Sequence, residues 1–330
     1  MSAGLRLCAA VLAAVLAGCG GNAAPPAPED AALTRDQRLA RLSFEQQRPE
    51  QAVSLYRQAL AQAQRRDDAD AIEGLGYDLA VALLRVNRPG EALATAQATR
   101  GEVERRGGRP RPELLLVQAA ALYRSGEADA VADLAAAILA LPDASSDVRG
   151  RAGFISGLVA ADRGDAAGVR AALAQLEALA AAPPIEAPAP TPLTADRDEL
   201  AGHLARLQGD PAGARSAFLA AADARRTLLD YPGMARSLAH AASAAEAQGR
   251  GAEAADLWLR AGRSAQLGGQ SAEARVWLGR AREIAVRIGA ADIAAEAVAR
   301  LAAINAPPGA VQPSRVPGAV QPSREPGGSG

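Results

Sequence analysis

Cys19 is the residue of this chain whose type and position most clearly predict a chemical modification. Its thiol directly follows two small residues, Ala17 and Gly18, and ahead of them lie one positive charge at Arg6 and an apolar run over residues 7–17. That run is too short to cross a bilayer as a stable helix, but its length fits the apolar region of an export signal. We therefore predict a signal peptide over residues 1–18, with a cysteine at the point of cleavage.

The order of charge, apolar run and Leu16-Ala17-Gly18-Cys19 resembles the lipobox of bacterial lipoproteins. The resemblance implies that Cys19 becomes the first residue of the mature chain and carries acyl chains such as palmitate on its sulfur and amine. Two or more such chains anchor a protein durably to a membrane. In that family Asp after the cysteine commonly marks retention in the inner membrane, so Gly20 implies an outer-membrane lipid anchor facing the periplasm. The periplasmic face of the inner membrane is the alternative location, and an ordinary secretory signal with an incidental cysteine is the alternative interpretation of the motif.

Other residues with catalytic or metal-binding chemistry are few. The chain has two cysteines and two histidines, His203 and His240, and Cys8 leaves with the signal peptide. With one lipidated cysteine left, neither an intramolecular disulfide nor metal ligation by a Cys/His cluster is expected. The sequence contains neither a Gly-x-Ser-x-Gly elbow nor a phosphate-binding glycine-rich loop, and we interpret both histidines as polar residues on helix surfaces. We therefore predict no catalytic residue, no metal, no cofactor and no enzyme activity.

Composition favours an all-helical protein that does not bind nucleic acid. Arg and Lys number 36 against 37 Asp and Glu, so the net charge is −1, whereas nucleic-acid binding needs a clustered basic excess. Aromatic residues make up 3% of the chain. A core of Ala and Leu with few rings suits closely packed helices, because Ala is the best helix former, and it does not suit a β-sandwich.

A repeat with intervals of 38 to 45 residues runs through most of the chain. Equivalent positions, taken as anchors, are Ala52, Ala92, Val131, Val169, Ala214, Ala254 and Ala294. Five residues before the anchors stand Gln47, Asn87, Gly126, Gly164, Gly209, Gly249 and Gly289. Glycine and asparagine tolerate the left-handed conformation that ends a helix. Three residues before the anchors, Pro49, Pro89 and Pro211 suit the first turn of a helix, which Asp165 and Asp210 can cap in their repeats.

Two further columns of the repeat describe how the predicted helices pack. Twelve residues before the anchors stand Ala40, Ala80, Ala119, Gly157, Gly202, Ala242 and Arg282. Small residues are expected where two helices cross closely, and Arg282 is the exception. The anchor and the positions four and seven residues later share one helix face and predict a buried stripe. The residues four after the anchors are Tyr56, Ala96, Ala135, Leu173, Phe218, Trp258 and Val298.

This pattern of helix, glycine turn and second helix resembles the tetratricopeptide repeat. That family has a small residue in its first helix, Gly at the turn, and Ala, an aromatic residue and Ala in its second helix. Gly202, Gly209, Ala214, Phe218 and Ala221 match it best, while the third, fourth and last repeats match it weakly. The usual period is 34 residues, so longer helices or turns are expected here. The resemblance implies an all-α fold, an α-solenoid of about seven helix-turn-helix units.

The repeats fall into two predicted stretches, residues 33–182 and 195–304. A proline-rich linker over residues 183–194 separates them, because a helix does not survive that density of proline. Residues 19–32 are predicted to form a flexible tether, and Thr34 with Gln37 to cap the first helix. Residues 305–330 are predicted to be a disordered tail, in which the nonapeptide 308–316 is duplicated at 317–325 with one change.

The tetratricopeptide resemblance also implies a binding groove, because the first helices of that family line a concave surface. Carried onto this register, the groove positions are Arg41, Tyr77, Arg85, Tyr123, Arg124, His203, Arg206, Arg236 and Ser243. Tyr and Arg dominate many protein interfaces, and Arg can bind a carboxylate through two hydrogen bonds. The alternative for each residue is a solvated position on a helix face.

The sequence therefore favours a membrane-anchored periplasmic scaffold or adaptor that mediates protein–protein interactions in cell-envelope assembly or maintenance. Its expected partners are periplasmic or outer-membrane proteins and, through acylated Cys19, the lipid bilayer. Solenoids expose large surfaces for such contacts without a catalytic pocket. Two alternatives stay open: a ligand-binding receptor or cell-wall-related enzyme that uses the groove, and a self-assembling structural lipoprotein. The sequence leaves the partner, the pathway and the oligomeric state open.

Overall fold

The structure, a computed structural model, describes residues 31–46, 48–180 and 191–305, and within these ranges it consists of fourteen α-helices without a strand. In chain order the helices are α1 (Ala31–Glu45), α2 (Pro49–Arg65), α3 (Ala69–Arg85), α4 (Pro89–Arg105), α5 (Pro112–Arg124), α6 (Ala128–Leu139), α7 (Ser146–Asp162), α8 (Ala166–Ala180), α9 (Pro192–Leu207), α10 (Pro211–Thr227), α11 (Tyr231–Ala247), α12 (Gly251–Leu267), α13 (Ser271–Ile288) and α14 (Ala291–Asn305). The predicted all-α fold is confirmed. None of these helices is both long and apolar enough to cross a membrane.

Along the sequence the fourteen helices follow one another as seven helix-turn-helix pairs, from α1/α2 to α13/α14, which confirms the predicted repeat. The second helix of each pair begins three residues before its anchor, as predicted. These first residues are Pro49, Pro89, Ala128, Ala166, Pro211, Gly251 and Ala291. The turns contain the residues five positions before the anchors. Six of these lie in the described ranges and have φ values between 57° and 80°: Asn87, Gly126, Gly164, Gly209, Gly249 and Gly289. This is the left-handed region, which glycine and asparagine enter at the lowest cost. The predicted register of the turns is therefore confirmed at these residues.

Aspartate side chains begin two of the second helices, as predicted. Asp165 accepts hydrogen bonds from the backbone N–H groups two and three residues later, at 3.0 and 2.9 Å. Asp210 accepts one from the backbone N–H three residues later, at 2.9 Å. The predicted cap formed by Thr34 and Gln37 is wrong, because α1 already includes Ala31 and Thr34 lies inside it. The alanines ahead of Thr34 are strong helix formers, and they extend the helix toward the N-terminus.

Small residues on the first helices allow close packing. The six Ala and Gly residues twelve positions before the anchors are all buried. A Cβ atom added at Gly202 would lie 2.6 Å from the ring of Phe218, so glycine is required for this contact. Arg282, the exception in the column, is exposed, and the adjacent Ala281 is buried instead.

The predicted buried stripe is correct for the second helices of pairs 1, 2, 3 and 5. In pairs 4 and 6 the residues four after the anchor, Leu173 and Trp258, are half-buried, and in pair 7 the stripe is displaced by one residue. Val298 was expected in the core and is 50% exposed, while Ala297 is buried and Ile293 packs beside it. The anchor Ala294 is half-buried. Since α14 is the last described helix and packs mainly against α12 and α13, its rotation about its own axis is set by contacts on one side.

The chain divides into two compact units, residues 1–130 and 131–330. In the first unit, α1 to α5 surround a core in which Tyr56, Leu75 and Leu83 are buried. In the second unit, one core cluster joins α10 to α13 around the buried Phe218 and Leu238.

The predicted linker over residues 183–194 does not separate the two compact units. α9 begins at Pro192, inside that stretch, and packs against α7 and α8, which precede it. Arg151 of α7 also donates a hydrogen bond to Asp196 of α9 at 2.6 Å. A proline at the first position of a helix sacrifices no hydrogen bond, so Pro192 starts a helix here. Residues 181–190 lie outside the described residues, as do the predicted signal peptide, Cys19, the tether up to residue 30 and the tail beyond Asn305.

Candidate functional site: a buried charged cluster beside a histidine pair

Arg225 of α10 is the centre of a charged cluster inside the second compact unit. Its side chain is 2% exposed. The guanidinium donates to the Asp196 carboxylate at 3.0 Å, to the Ser237 hydroxyl at 2.7 Å, and to Oε2 of Glu199. Asp196 and Glu199 lie on α9 and Ser237 lies on α11, so one side chain of α10 connects two first helices.

The two carboxylates of this cluster have opposite pKa shifts. Burial raises the pKa of Asp196, against the opposing effect of Arg151 and Arg225. Burial also acts to raise the pKa of Glu199, but the charges of Arg225 and Arg236 outweigh it and lower that pKa below the usual range. A buried carboxylate is stable in its charged form only when it is paired in this way. Glu199 is therefore an anionic side chain held in place by Arg225.

The two histidines of the chain lie next to this cluster. His203 of α9 is 4% exposed, and neither of its ring nitrogens has a hydrogen-bond partner. Its ring lies 4.8 Å from that of His240 on α11 and 5.1 Å from that of Phe218, both in edge-to-face geometry. The Phe218 and His240 rings are stacked at 5.0 Å. The interpretation of both histidines as surface residues is therefore wrong, because His203 is buried and His240 is half-buried.

Burial is the main cause of the pKa shifts of this histidine pair. It lowers the pKa of His203 to about 4, and the neighbouring His240 acts in the same direction. The pKa of His240 is also lowered by burial, against the opposing charge of Glu199. Both imidazoles are therefore neutral near pH 7, which is the form that binds metal ions.

Comparison with solved structures shows the fold class. A Rap protein complexed with Competence and Sporulation Factor matches 82% of this chain and 73% of its own length, with a TM-score of 0.54 and 13% identity. A tetratricopeptide repeat protein from Parabacteroides merdae matches 82% of this chain and 100% of its own, with a TM-score of 0.46 and 11% identity. The fold is a tetratricopeptide-like α-solenoid. No protein-family model and no curated protein matches the sequence.

The first compact unit contains five of the predicted groove residues, on the first helices of this tetratricopeptide-like array: Arg41, Tyr77, Arg85, Tyr123 and Arg124. Arg41 and Arg124 are exposed, and the other three are half-buried. Arg41 forms an exposed ion pair with the Glu45 carboxylate at 3.6 Å. The Arg124 guanidinium donates to the backbone carbonyl of Leu84, near the C-terminus of α3.

The second compact unit contains the other four: His203, Arg206, Arg236 and Ser243. Arg206 and Ser243 are exposed and Arg236 is half-buried. The Arg206 guanidinium donates to the backbone carbonyl of Ala161, near the C-terminus of α7, at 3.4 Å. The prediction that His203 contacts a partner is wrong, since its ring is enclosed by Phe218 and His240.

Arg124 and Arg206 have the same structural role in different repeats. Each one binds a carbonyl near the C-terminus of the preceding first helix, where a cation interacts favourably with the helix dipole. The bonded residues are 40 and 45 positions apart, close to the intervals of 39 and 45 residues between the repeats concerned. The sequence interpretation missed this role, although the repeat period contained the signal for it.

The sequence interpretation also missed Asp196, Glu199 and Arg225. One signal was present in α10, where Arg225 follows Phe218 and Ala221 at helical spacing and so continues the apolar stripe. A charged residue on such a stripe needs a buried partner. The carboxylates on α9 that supply it are 29 and 26 residues away, and only the packing of α9 against α10 shows the match.

Tyr56 in the first compact unit predicts a loss of stability at alkaline pH. Burial, together with the charge of Asp78, raises its pKa to about 12, whereas the unfolded chain ionises near 10. A raised pKa in the folded state gives stability that is complete below pH 10 and is lost as the pH rises from 10 through 12. We expect the wild type to lose about 1 kcal/mol more than Tyr56→Phe between pH 10 and pH 11. Denaturant unfolding at pH 8, 10 and 11 measures this, and equal losses in the two proteins would contradict it.

Proposed function

We propose that this protein is a non-enzymatic adaptor that binds other envelope proteins along the first helices of its repeats. Acylated Cys19 holds it to the outer membrane, facing the periplasm. The observation that carries the proposal is the exposure of arginine side chains on first helices of each compact unit: Arg41, Arg124 and Arg206. Arg is among the residues that most often dominate protein interfaces.

The fold supports a binding role by analogy alone. The Rap protein that shares this fold was solved in complex with Competence and Sporulation Factor. A fold does not determine a function, so the argument for a partner rests on the surface of this chain.

The chemistry of these arginines indicates an acidic partner segment. A guanidinium has five N–H donors in a planar fork that matches a carboxylate. The hydrogen bond from Arg206 to the carbonyl of Ala161 uses one donor and fixes the direction of the side chain. A group held in this way loses less side-chain entropy when it binds a carboxylate, either of Asp and Glu or of a chain terminus.

Cross-linking of the full-length protein in its native cell, followed by identification of the cross-linked proteins, tests this proposal. The variant Arg41→Glu/Arg124→Glu/Arg206→Glu reverses the charge of the three exposed arginines among the predicted groove residues on first helices. The matched control Arg100→Glu/Arg226→Glu/Arg260→Glu makes the same change of charge on the second helices α4, α10 and α12. We expect one reproducible envelope protein that is captured by the wild type and the control and lost from the first variant.

Two results would overturn the adaptor proposal. One is the absence of any reproducible partner in the wild type, which would favour a small ligand or self-association. The other is equal capture by both charge-reversal variants, which would place the interface away from the first helices. Circular dichroism of both variants verifies that their helices are intact.

The location has a separate test. Cys19→Ala removes the thiol on which lipoprotein acylation depends, and we expect the variant to lose its acyl chains and leave the outer-membrane fraction. Cys8→Ala changes a cysteine of the predicted signal peptide and is the control, which should fractionate as the wild type does. Retention of Cys19→Ala in the outer membrane would show that another part of the chain holds it there.

A further inference from the structure

Three potential metal ligands converge beside the buried charged cluster. Glu199 and His203 are one helical turn apart on α9, and His240 lies on α11. One ligand atom from each residue lies within 4.8 Å of the others, and no other group of three such side chains occurs in the described part of the chain. The two elements are first helices of successive pairs, so the repeat itself brings these residues together.

The ring nitrogens of His203, buried and without hydrogen-bond partners, are the observation that points to a ligand. The His203 ring is 96% buried, yet Nδ1 and Nε2 both lack a hydrogen-bond partner. A buried polar atom without a partner costs about 1–3 kcal/mol. The aromatic contacts with Phe218 and His240 position the ring but satisfy neither nitrogen. A metal ion between His203, His240 and Glu199 would satisfy one of them.

We propose that Glu199, His203 and His240 bind one divalent transition-metal ion, for which zinc is the best match. Two imidazoles and one carboxylate are a donor set that suits zinc, and three protein ligands leave a fourth coordination position for water or for a donor group of a partner. This inference is independent of the adaptor function.

The charged groups around the site include some that favour a bound cation and some that oppose it. Arg225 binds Oε2 of Glu199, which leaves Oε1 to face a metal, and such hydrogen bonds to a ligating carboxylate are common at metal sites. Arg206 and Arg236 also act electrostatically on His240, and they oppose a cation. Asp196 and Asp230 lie against Arg225 at 3.0 and 3.7 Å and balance part of this positive charge.

The geometry requires a small closure of the site around the ion. Zinc–ligand bonds of 2.0–2.2 Å place tetrahedral ligand atoms about 3.3 Å apart. The present separations of up to 4.8 Å are therefore roughly 1.5 Å too long. Side-chain rotations of His240, which is half-buried and gives access from solvent, can supply this change. Metal binding would connect α9 directly to α11.

Zinc titration of the full-length chain tests the proposal, with Cys8 and Cys19 changed to serine so that no thiol competes. We expect one zinc ion per chain by isothermal titration calorimetry and a higher melting temperature with zinc than with a chelator. His203→Phe and His240→Phe keep the aromatic packing, and each should weaken zinc binding at least about tenfold. Ser237→Ala removes a buried partner of Arg225 that is not a ligand, and it should keep the affinity.

A second measurement does not depend on the variants being folded. Cobalt(II) bound to the parent protein should give the intense visible bands of a four-coordinate site, and zinc X-ray absorption should show scattering from two imidazoles. Binding with no imidazole scattering would overturn the proposal. So would an affinity that is unchanged in folded His203→Phe and His240→Phe, or the absence of saturable binding in the parent protein.

Discussion

Replacement of Arg225 by methionine is expected to lower the free energy of unfolding by about 3–5 kcal/mol. Methionine fills a similar volume, but it removes the cation that pairs with the buried carboxylate of Glu199, and Asp196 keeps only its hydrogen bond from Arg151. The cost comes mainly from the buried charge left without its partner rather than from the lost attraction, because desolvation of an unpaired carboxylate is expensive. Urea denaturation at pH 7, followed by circular dichroism, measures the effect.

The neighbouring Arg226→Met is the matched control. Arg226 is on the same helix and pairs with Asp223, but both side chains are exposed, by 68% and 69%. An exposed ion pair contributes about 0–1 kcal/mol, so the control should remain close to the wild type. Equal losses in the two variants would contradict the role of burial. Addition of Asp196→Asn and Glu199→Gln to Arg225→Met should restore part of the stability, because it neutralises the charges that were left unpaired.

Replacement of Phe218 by alanine is expected to cost about 3–5 kcal/mol. Phe218 is fully buried, and its ring contacts His203, His240 and the backbone of Gly202. Loss of the ring removes these contacts and leaves a cavity where two helices cross. Leu267→Ala is the control, since that side chain is 69% exposed and its loss should change stability by less than about 0.5 kcal/mol.

A double variant makes the Phe218 prediction sharper. Gly202→Ala alone is expected to destabilise, because its Cβ would lie 2.6 Å from the Phe218 ring. In the Phe218→Ala background the same methyl group enters the new cavity, and alanine also has the higher helix propensity. Gly202→Ala should therefore be unfavourable in the wild type and favourable in Phe218→Ala. The same sign in both backgrounds would show that the two residues are not in close contact.

The sequence predicted most of the fold because the signals for it are local. A glycine or asparagine at a turn and a proline or aspartate at a helix start act through the backbone within a few residues. The turn at Gly209, the cap at Asp210 and the start of α10 at Pro211 could therefore be predicted from three consecutive positions. Thr34 failed as a cap for a related reason, because alanine favours helix strongly enough to extend α1 beyond it.

Alanine also limited what the sequence could show about the site. Ala occurs on both faces of these helices, so the hydrophobic pattern marks weakly which face is buried. His203 and Ser243, assigned to the same groove, are buried and exposed respectively. Val298 was assigned one residue away from the buried Ala297, because α14 is the last described helix, and Arg282 stands beside the buried Ala281 on α13.

The sequence by itself determined the number of helix pairs, the position of their turns and the starts of their second helices. These features depend on the conformational preferences of a few adjacent residues. The tertiary structure alone decided that Arg225 meets Asp196 and Glu199, that His203 meets His240, and that Arg124 and Arg206 bind the preceding first helix. Such contacts join residues about 26 to 45 positions apart, and their formation depends on how each helix rotates against its neighbours.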